Sequence, residues 1–211
     1  NAPQVAINDI GSAEDLLAEA WDENADPFTN SPRVTVSHLR KKLGEPLTAT
    51  SGNRNGYILE VTEGRGRSCG KGYETSTDFT WDLMLICGDP AAQETYFAGF
   101  PKEHVSPISC PDNVAFDAVG NLWISTDGNQ LGSNDGLFRV PTNGPERGRV
   151  QQFLTVPFGA ETCGPVVRDN RVLVAVQHPG ETDDATFEKP TSTWPHTDAF
   201  PRPSVIVSYA K

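Results

Sequence analysis

The chain has 211 residues, of which 36% are hydrophobic and 21% charged, and its 17 basic and 28 acidic residues give a formal net charge of -11. This charge argues against nucleic acid as a partner, because binding to a phosphate backbone needs a basic surface. The chain also lacks an apolar run of about 18 residues and a polybasic patch, so we expect no membrane association. The first residues show no basic and then apolar signal region, so an export signal would have been removed or lie upstream.

Residues 1–50 have partly helical character. Ser12 and Asp15 form a plausible capping box before apolar residues that share one helix face, and this pattern predicts a helix over residues 12–24. After a turn at residues 30–32, the segment that ends at Gly44 fits either a strand or a short helix. We expect residues 1–50 to be a partly helical N-terminal segment, which could be an insertion.

Beyond residue 50, short apolar runs alternate with turn residues, which predicts β-strands. Two hairpins are indicated, with turns at residues 119–121 and 169–171. Units of four short antiparallel strands that repeat about every 40 to 50 residues are typical of β-propeller blades. The sequence therefore predicts an all-β fold over residues 51–211, with about three blades of a larger propeller. A β-sandwich uses similar strands and is the structural alternative.

Two segments carry oxygen-rich side chains directly before predicted strands. Asp112 and Asn113 supply carboxylate and amide oxygens, which are ligands that calcium prefers, although the same pair also suits a turn. Glu161 is the single carboxylate of the segment GAETCGP, whose glycines would let the backbone approach a metal closely; a solvated loop position is equally compatible. Asp117 and Asp127 fit turn positions better than ligand positions.

The segment NRNGYILEVTE leads into the first strand and carries candidate phosphate and metal contacts. Arg54 could bind a phosphate with two guanidinium nitrogens, and Glu60 or Glu63 could ligate a metal. Strand alternation places the two glutamates on opposite faces, so only one of them would face a central channel. His178 follows a later strand and is a candidate substrate contact, although a histidine there more often has a structural role.

Several standard motifs are absent from the sequence. It has no GxSxG elbow, no GxxxxGK[ST] loop and no HExxH pair, so no catalytic residue can be assigned from a motif. The four cysteines have no CxxC pair and no nearby histidine at zinc-ligand spacing, which argues against a zinc module. Disulfides and free thiols both remain open for these cysteines, Cys69, Cys87, Cys110 and Cys163.

Four segments, in this order across residues 110–207, resemble the PhoX family of alkaline phosphatases. They are CPDN with NLWISTDG, GAETCGP, AVQHPGE and STWPHTDAFPRPSVIV, and looser matches extend back to residue 53. The resemblance implies that the chain is the carboxy-terminal part of a six-bladed propeller. It also implies hydrolysis of phosphate monoesters with calcium (Ca2+) and iron (Fe3+) in the central channel, and twin-arginine export to the periplasm or the cell exterior.

The same resemblance implies roles for individual residues. Asp112, Asn113 and Glu161 fall where the family draws metal or substrate-site residues, and Glu63 is a further metal candidate. The family commonly carries an arginine near the position of Glu60. The iron ligands of the family belong to an amino-terminal half outside this chain. We therefore expect a small phosphate ester as the substrate, the other half of the propeller as a partner, and no activity from this part alone.

Two other functions remain open. Lactonase-type six-bladed propellers have similar strands and a channel calcium held by Glu, Asn and Asp, but the GAETCGP and HPGE segments argue against this class. The chain could also be a propeller remnant that serves as a non-catalytic binding or structural module. Lactone hydrolysis without phosphatase activity would favour the first. Absence of tightly bound metal, with no activity on p-nitrophenyl phosphate, would favour the second.

Overall fold

The computed structural model describes residues 53–63, 79–196, 198 and 200–210. These residues form strands joined by turns, with one short 3-10 helix at Lys102–His104. The predicted helix over residues 12–24 lies outside the described residues. No helix in the described ranges is long and apolar enough to cross a membrane. The strands are β1 (Tyr57–Glu63), β2 (Phe79–Ile86), β3 (Tyr96–Phe97), β4 (Pro111–Phe116), β5 (Leu122–Thr126), β6 (Gly136–Val140), β7 (Gln151–Thr155), β8 (Glu161–Arg168), β9 (Arg171–Gln177) and β10 (Ser204–Tyr209).

The strands pair into three sheets that follow the order of the chain. The first has the order β1-β2-β3, the second β4-β5-β6-β7 and the third β8-β9-β10. Each strand of the second and third sheets pairs antiparallel with its sequence neighbour, as in the predicted blades. One compact unit consists of Asn53–Ile58 with Leu83–Lys211, and it contains both of these sheets. The other unit includes the described strand portions 59–63 and 79–82.

The predicted turn between β4 and β5 is built around Asp117. Its carboxylate accepts hydrogen bonds from the backbone N–H of Val119 at 3.1 Å and of Asn121 at 2.9 Å. It also accepts from the side chains of Asn121 at 2.7 Å and Trp123 at 3.1 Å. Burial raises the pKa of Asp117, whereas the four hydrogen bonds stabilise the ionised carboxylate and lower it. The hydrogen bonds together have the larger effect, so the pKa of Asp117 lies below its ordinary value. The turn role that the sequence predicts for Asp117 is therefore confirmed.

Replacing Asp117 by Asn is expected to destabilise the chain by about 1–2 kcal/mol, because an amide cannot accept all four hydrogen bonds. A lowered carboxyl pKa contributes stability above the unfolded pKa of about 4, and this contribution is lost as the pH falls through the lower folded pKa. Urea unfolding at about pH 7 and pH 3 measures the effect. The difference between wild type and Asp117→Asn should shrink at low pH. Asp169→Asn, in the exposed β8–β9 turn, is the control and should change stability by less than about 0.5 kcal/mol.

The third sheet packs one face onto the second sheet. Val167, Val172 and Val174 are buried with Trp123 and Leu137 in a shared cluster. A second cluster at the other end of β9 contains Val156, Ala160 and Val176, with Trp194 of the β9–β10 loop packed against it. The alternation of buried residues along β9 follows from the two-residue repeat of a strand. This packing lays β8 against β4 and β5.

Candidate functional site

Two β-bulges bring the starts of β4 and β8 together. The pairing of β4 with β5 shifts between Pro111 and Val114, so the bulge contains Asp112 and Asn113. The pairing of β8 with β9 shifts between Cys163 and Val166. A bulge bends the strand and redirects its side chains, and bulges are common beside functional sites. A hydrogen bond connects the two bulges, because the Gly164 N–H donates to Asn113 Oδ1 at 2.9 Å.

Four carboxyl groups form an acidic cluster beside these bulges: Asp112, Asp127, Asp135 and Glu161. A hydrogen bond with Asp127, then burial, then the charges of Asp127, Asp112 and Asp135 raise the pKa of Glu161 to about 7. Loss of solvent, followed by the charge of Asp127, raises the pKa of Asp112. Burial also raises the pKa of Asp135, against opposing hydrogen bonds. The cluster is therefore short of positive charge, and ionisation of Glu161 is disfavoured relative to an ordinary glutamate.

Two buried threonines form hydrogen bonds that hold together the strand ends carrying the acidic cluster. Thr126 donates from Oγ1 to Asp135 Oδ1 at 2.6 Å and accepts from the Gly136 N–H at 3.1 Å. Thr162 donates from Oγ1 to the Gly136 carbonyl at 2.7 Å and accepts from the Thr126 N–H at 3.1 Å. Both side chains are within 1% of complete burial. These hydrogen bonds connect β5, β6 and β8. They fix the positions of Asp135, and of Asp127 and Glu161 next to the two threonines, at the ends of these strands.

The acidic cluster opens onto a cleft of about 780 Å3. His178 stands at its edge with Nε2 3.6 Å from Glu161 Oε1 and Nδ1 2.9 Å from Glu181 Oε2. It follows β9 directly and has a positive φ of 49°, which is uncommon for a residue other than glycine. The lining residues are Asp127, Gly128, Asn129, Gly132, Ser133, Asn134, Asp135, Phe158, Gly159, Ala160, Glu161, His178, Glu181, Thr182 and Asp183.

The structure brings together some of the residues that the sequence singled out and separates others. Asp112 and Glu161 share the acidic cluster, and His178 lies beside it. Asn113 joins the two bulges through its side-chain oxygen. Arg54 is exposed on the loop before β1, outside the lining of the cleft. Glu63 ends β1, and its side chain lies outside the described part of the structure.

Sequence reasoning missed Asp127 and Asp135 as members of the cluster. Both flank strands of one antiparallel sheet, Asp127 directly after β5 and Asp135 directly before β6. The end of one antiparallel strand and the start of the next lie at the same end of the sheet. The positions of Asp127 and Asp135 relative to the two strands could therefore have indicated that their side chains lie close together. The turn reading of this segment is correct for Asn129, whose Oδ1 accepts from the Leu131 N–H at 2.7 Å.

The donor chemistry of the cluster fits a hard cation such as calcium, which binds carboxylate and amide oxygens. As the side chains stand, no group of three or more His, Cys, Asp or Glu residues in the described ranges is arranged to hold a metal ion. The Glu161 carboxyl, which is hydrogen-bonded to Asp127, keeps its proton to a higher pH than an ordinary glutamate. A cation would have to displace that proton.

The three cysteines in the described part of the chain, Cys87, Cys110 and Cys163, are free thiols. Burial, followed by the nearby Cys110, raises the pKa of Cys87 to about 12. A buried thiol with a high pKa is a poor nucleophile and a poor metal ligand. Cys110 has a positive φ of 50° immediately before the β4 bulge. Of the two readings that the sequence left open, the free thiol holds for these three residues.

Comparisons with known proteins agree with this architecture. The family model described as "Alkaline phosphatase PhoX" matches residues 30–180. The solved structure of Pseudomonas fluorescens PhoX in complex with vanadate, a transition state analogue, is similar with a TM-score of 0.54 and 26% identity. That match covers 77% of this chain and 27% of the Pseudomonas chain.

A different similarity involves a smaller part of the chain. The transcriptional regulatory protein CutR of Streptomyces coelicolor and that of Streptomyces lividans are each 61% identical to it over 50 residues. This is 24% of the chain and 23% of each regulator, too little to show a family. The chain spans about a quarter of the length of the relatives it matches. The PhoX match, in contrast, extends over more than half of the chain and includes all of the second sheet. The three antiparallel sheets are thus part of a PhoX-type propeller, and the chain belongs to the alkaline phosphatase PhoX family.

Proposed function

We propose that the acidic cluster binds calcium and forms part of a site that hydrolyses phosphate monoesters. Membership of the PhoX family makes the chain related to alkaline phosphatases. The observation that carries the proposal is the convergence of Glu161 with Asp127, Asp112 and Asp135, which raises the pKa of Glu161 to about 7. Carboxyl groups that converge in this way, with a raised pKa at one of them, mark a place where a cation binds favourably.

Charge balance supports the same conclusion. A phosphate ester is an anion, and carboxylates line the cleft together with His178 and neutral residues. None of the residues that the structure describes in the cleft lining is Lys or Arg. Carboxylates alone would repel the phosphate, and bound cations would supply neutralising positive charge. A bound divalent cation would offset the carboxylates and polarise the phosphate oxygens.

The residues of the chain have separate tasks in this proposal. Asp112, Asp127, Asp135 and Glu161 would hold the cation. Asn113, through its bond to Gly164, keeps the two bulges in register. His178 is 57% exposed in its side chain and is oriented by Glu181, so its Nε2 lies at the mouth of the cleft, 3.6 Å from Glu161 Oε1. Iron and a periplasmic or extracellular location stay predictions from the family resemblance.

The third sheet offers a place for the rest of a propeller. Val166, Leu173 and Val207 lie side by side across β8, β9 and β10, on the face that does not pack against the second sheet. Val166 and Val207 are exposed, as is Val205 farther along β10. An antiparallel sheet that is apolar on both faces normally lies between two layers. We propose that further blades of a family-length propeller cover this face and complete the catalytic site.

The proposed function predicts that the chain binds inorganic phosphate only when calcium is present. Titration calorimetry at about pH 8, with calcium and then with a chelator, measures this. Asp112→Ala should weaken calcium binding at least about ten-fold through the loss of a charged ligand. Asp184→Asn, an exposed carboxylate outside the lining of the cleft, is the matched control. Failure to bind calcium would contradict the proposal, and calcium binding without phosphate binding would favour a non-catalytic module.

A further inference from the structure

The cleft contains one large apolar side chain among the residues that the structure describes in its lining. Phe158 is 57% exposed, and its neighbours in the lining are acidic, small or neutral polar residues. It lies three residues before Glu161 in the chain, so the ring and the acidic cluster belong to one short segment. An exposed phenylalanine alone needs no explanation, but this one faces a charged cleft and is held in place.

The turn that carries Phe158 is fixed at both ends. The Ala160 N–H donates to the Pro157 carbonyl at 3.0 Å, which closes a turn over residues 157–160. Val156 and Ala160, on either side, are 3% and 5% exposed. Gly159 has a φ of 75°, and a Cβ there would collide with the Glu181 carbonyl. The backbone of the turn therefore packs closely against the loop after β9, and this places Phe158 beside the cleft.

An aromatic ring beside a phosphate site can contact the organic part of the substrate. The phosphate needs cations and polar groups, whereas the alcohol part of the ester has to lie against the rest of the cleft wall. Aromatic rings gain from packing face-to-face or edge-to-face with another ring. We propose that Phe158 contacts the leaving group of the ester and selects monoesters with aromatic or flat apolar leaving groups over polyol phosphates. This inference rests on the proposed function.

The test compares two probes on the whole 211-residue chain with calcium at about pH 8. Phenyl phosphate carries an aromatic ring, and glycerol 3-phosphate carries a polyol. Calorimetry should give a Kd for phenyl phosphate that is about three to ten times lower, as one aromatic contact provides. Phe158→Ala should reduce this ratio to near one, and Phe158→Tyr should keep it. Phe187→Ala is the control, because Phe187 is 73% exposed, stacks on Phe200 and lies outside the cleft lining.

Each outcome bears on a different part of the inference. Equal affinity for the two esters in the wild-type chain, or a preference that survives Phe158→Ala, overturns the role of Phe158 and leaves the proposed function standing. A preference that is lost equally in Phe187→Ala also overturns it. Absence of binding for both esters and for inorganic phosphate overturns the proposed function together with the inference. Circular dichroism of each variant checks that the sheets are intact.

Discussion

Calcium affinity is expected to fall about five-fold as the pH drops from 7 to 6, and to become nearly constant above about pH 8. The reason is the pKa of Glu161, which its hydrogen bond with Asp127, burial and neighbouring charges raise to about 7. Below this pH the cation competes with one proton. Calorimetry at several pH values, in buffers of different ionisation enthalpy, would measure both the affinity and the proton release.

The raised pKa also sets how stability depends on pH without calcium. The ordinary glutamate pKa is about 4.3, so between that value and about 7 the folded chain binds more protons than the unfolded chain. Stability therefore falls as the pH rises through this window. Calcium should reverse the trend, since it binds the ionised cluster of the folded chain.

Glu161→Gln separates the two effects. It removes the charge that a cation needs and the proton that competes with it. We expect calcium affinity at about pH 8 to fall at least ten-fold and the pH dependence between 6 and 8 to disappear. Without calcium the variant should melt about 3 °C higher at pH 8, because a like charge is gone. Asp184→Asn, an exposed carboxylate outside the lining of the cleft, is the control. An unchanged pH profile in Glu161→Gln would refute the assignment of the proton to Glu161.

Replacing Thr162 by Val is expected to destabilise the chain by about 2–4 kcal/mol. The two side chains have the same shape, so the loss comes from hydrogen bonding. The Thr126 N–H would lose its 3.1 Å acceptor, and the Gly136 carbonyl would lose its 2.7 Å donor. Both groups would stay buried with no water to replace the hydroxyl, and each carries a desolvation cost.

Urea unfolding measures this loss, with Thr155→Val as the matched control. Thr155 also donates from its hydroxyl to a backbone carbonyl, that of Asp135 at 3.2 Å, but it is exposed and water can replace the contact. Its substitution should change stability by less than about 0.5 kcal/mol. A comparable loss in the two variants would mean that burial of the Thr162 network is not what stabilises the site.

Local features of the fold could be predicted because their causes are local. The hairpin at Asp117 depends on residues within six positions of it, and the structure shows those hydrogen bonds. The strands from β4 onward follow alternating or continuous apolar patterns. Their order within each sheet follows from short connections, which leave antiparallel neighbours as the simplest pairing.

The acidic cluster could be predicted only in part. Asp112 and Glu161 can be selected as candidate metal ligands because they lie in the segments CPDN and GAETCGP. Neither segment shows that the two side chains lie close together. Asp127 looks like an ordinary turn residue in sequence, and its membership depends on the pairing of β4 with β5. Glu161 and His178 meet because β8 and β9 pair with Glu161 opposite Gln177.

The sequence by itself determined the strand content, the turns, the PhoX family and two of the four carboxylates, since each of these depends on residues close together in the chain. Only the tertiary structure decided which charges share one site. The two bulges and the packing of β8 against β4 and β5 bring together the carboxylates of Asp112 and Glu161, which are 49 residues apart in the chain. Electrostatic interaction depends on the distance between charges and on the surrounding dielectric, and the amino-acid sequence gives neither quantity directly.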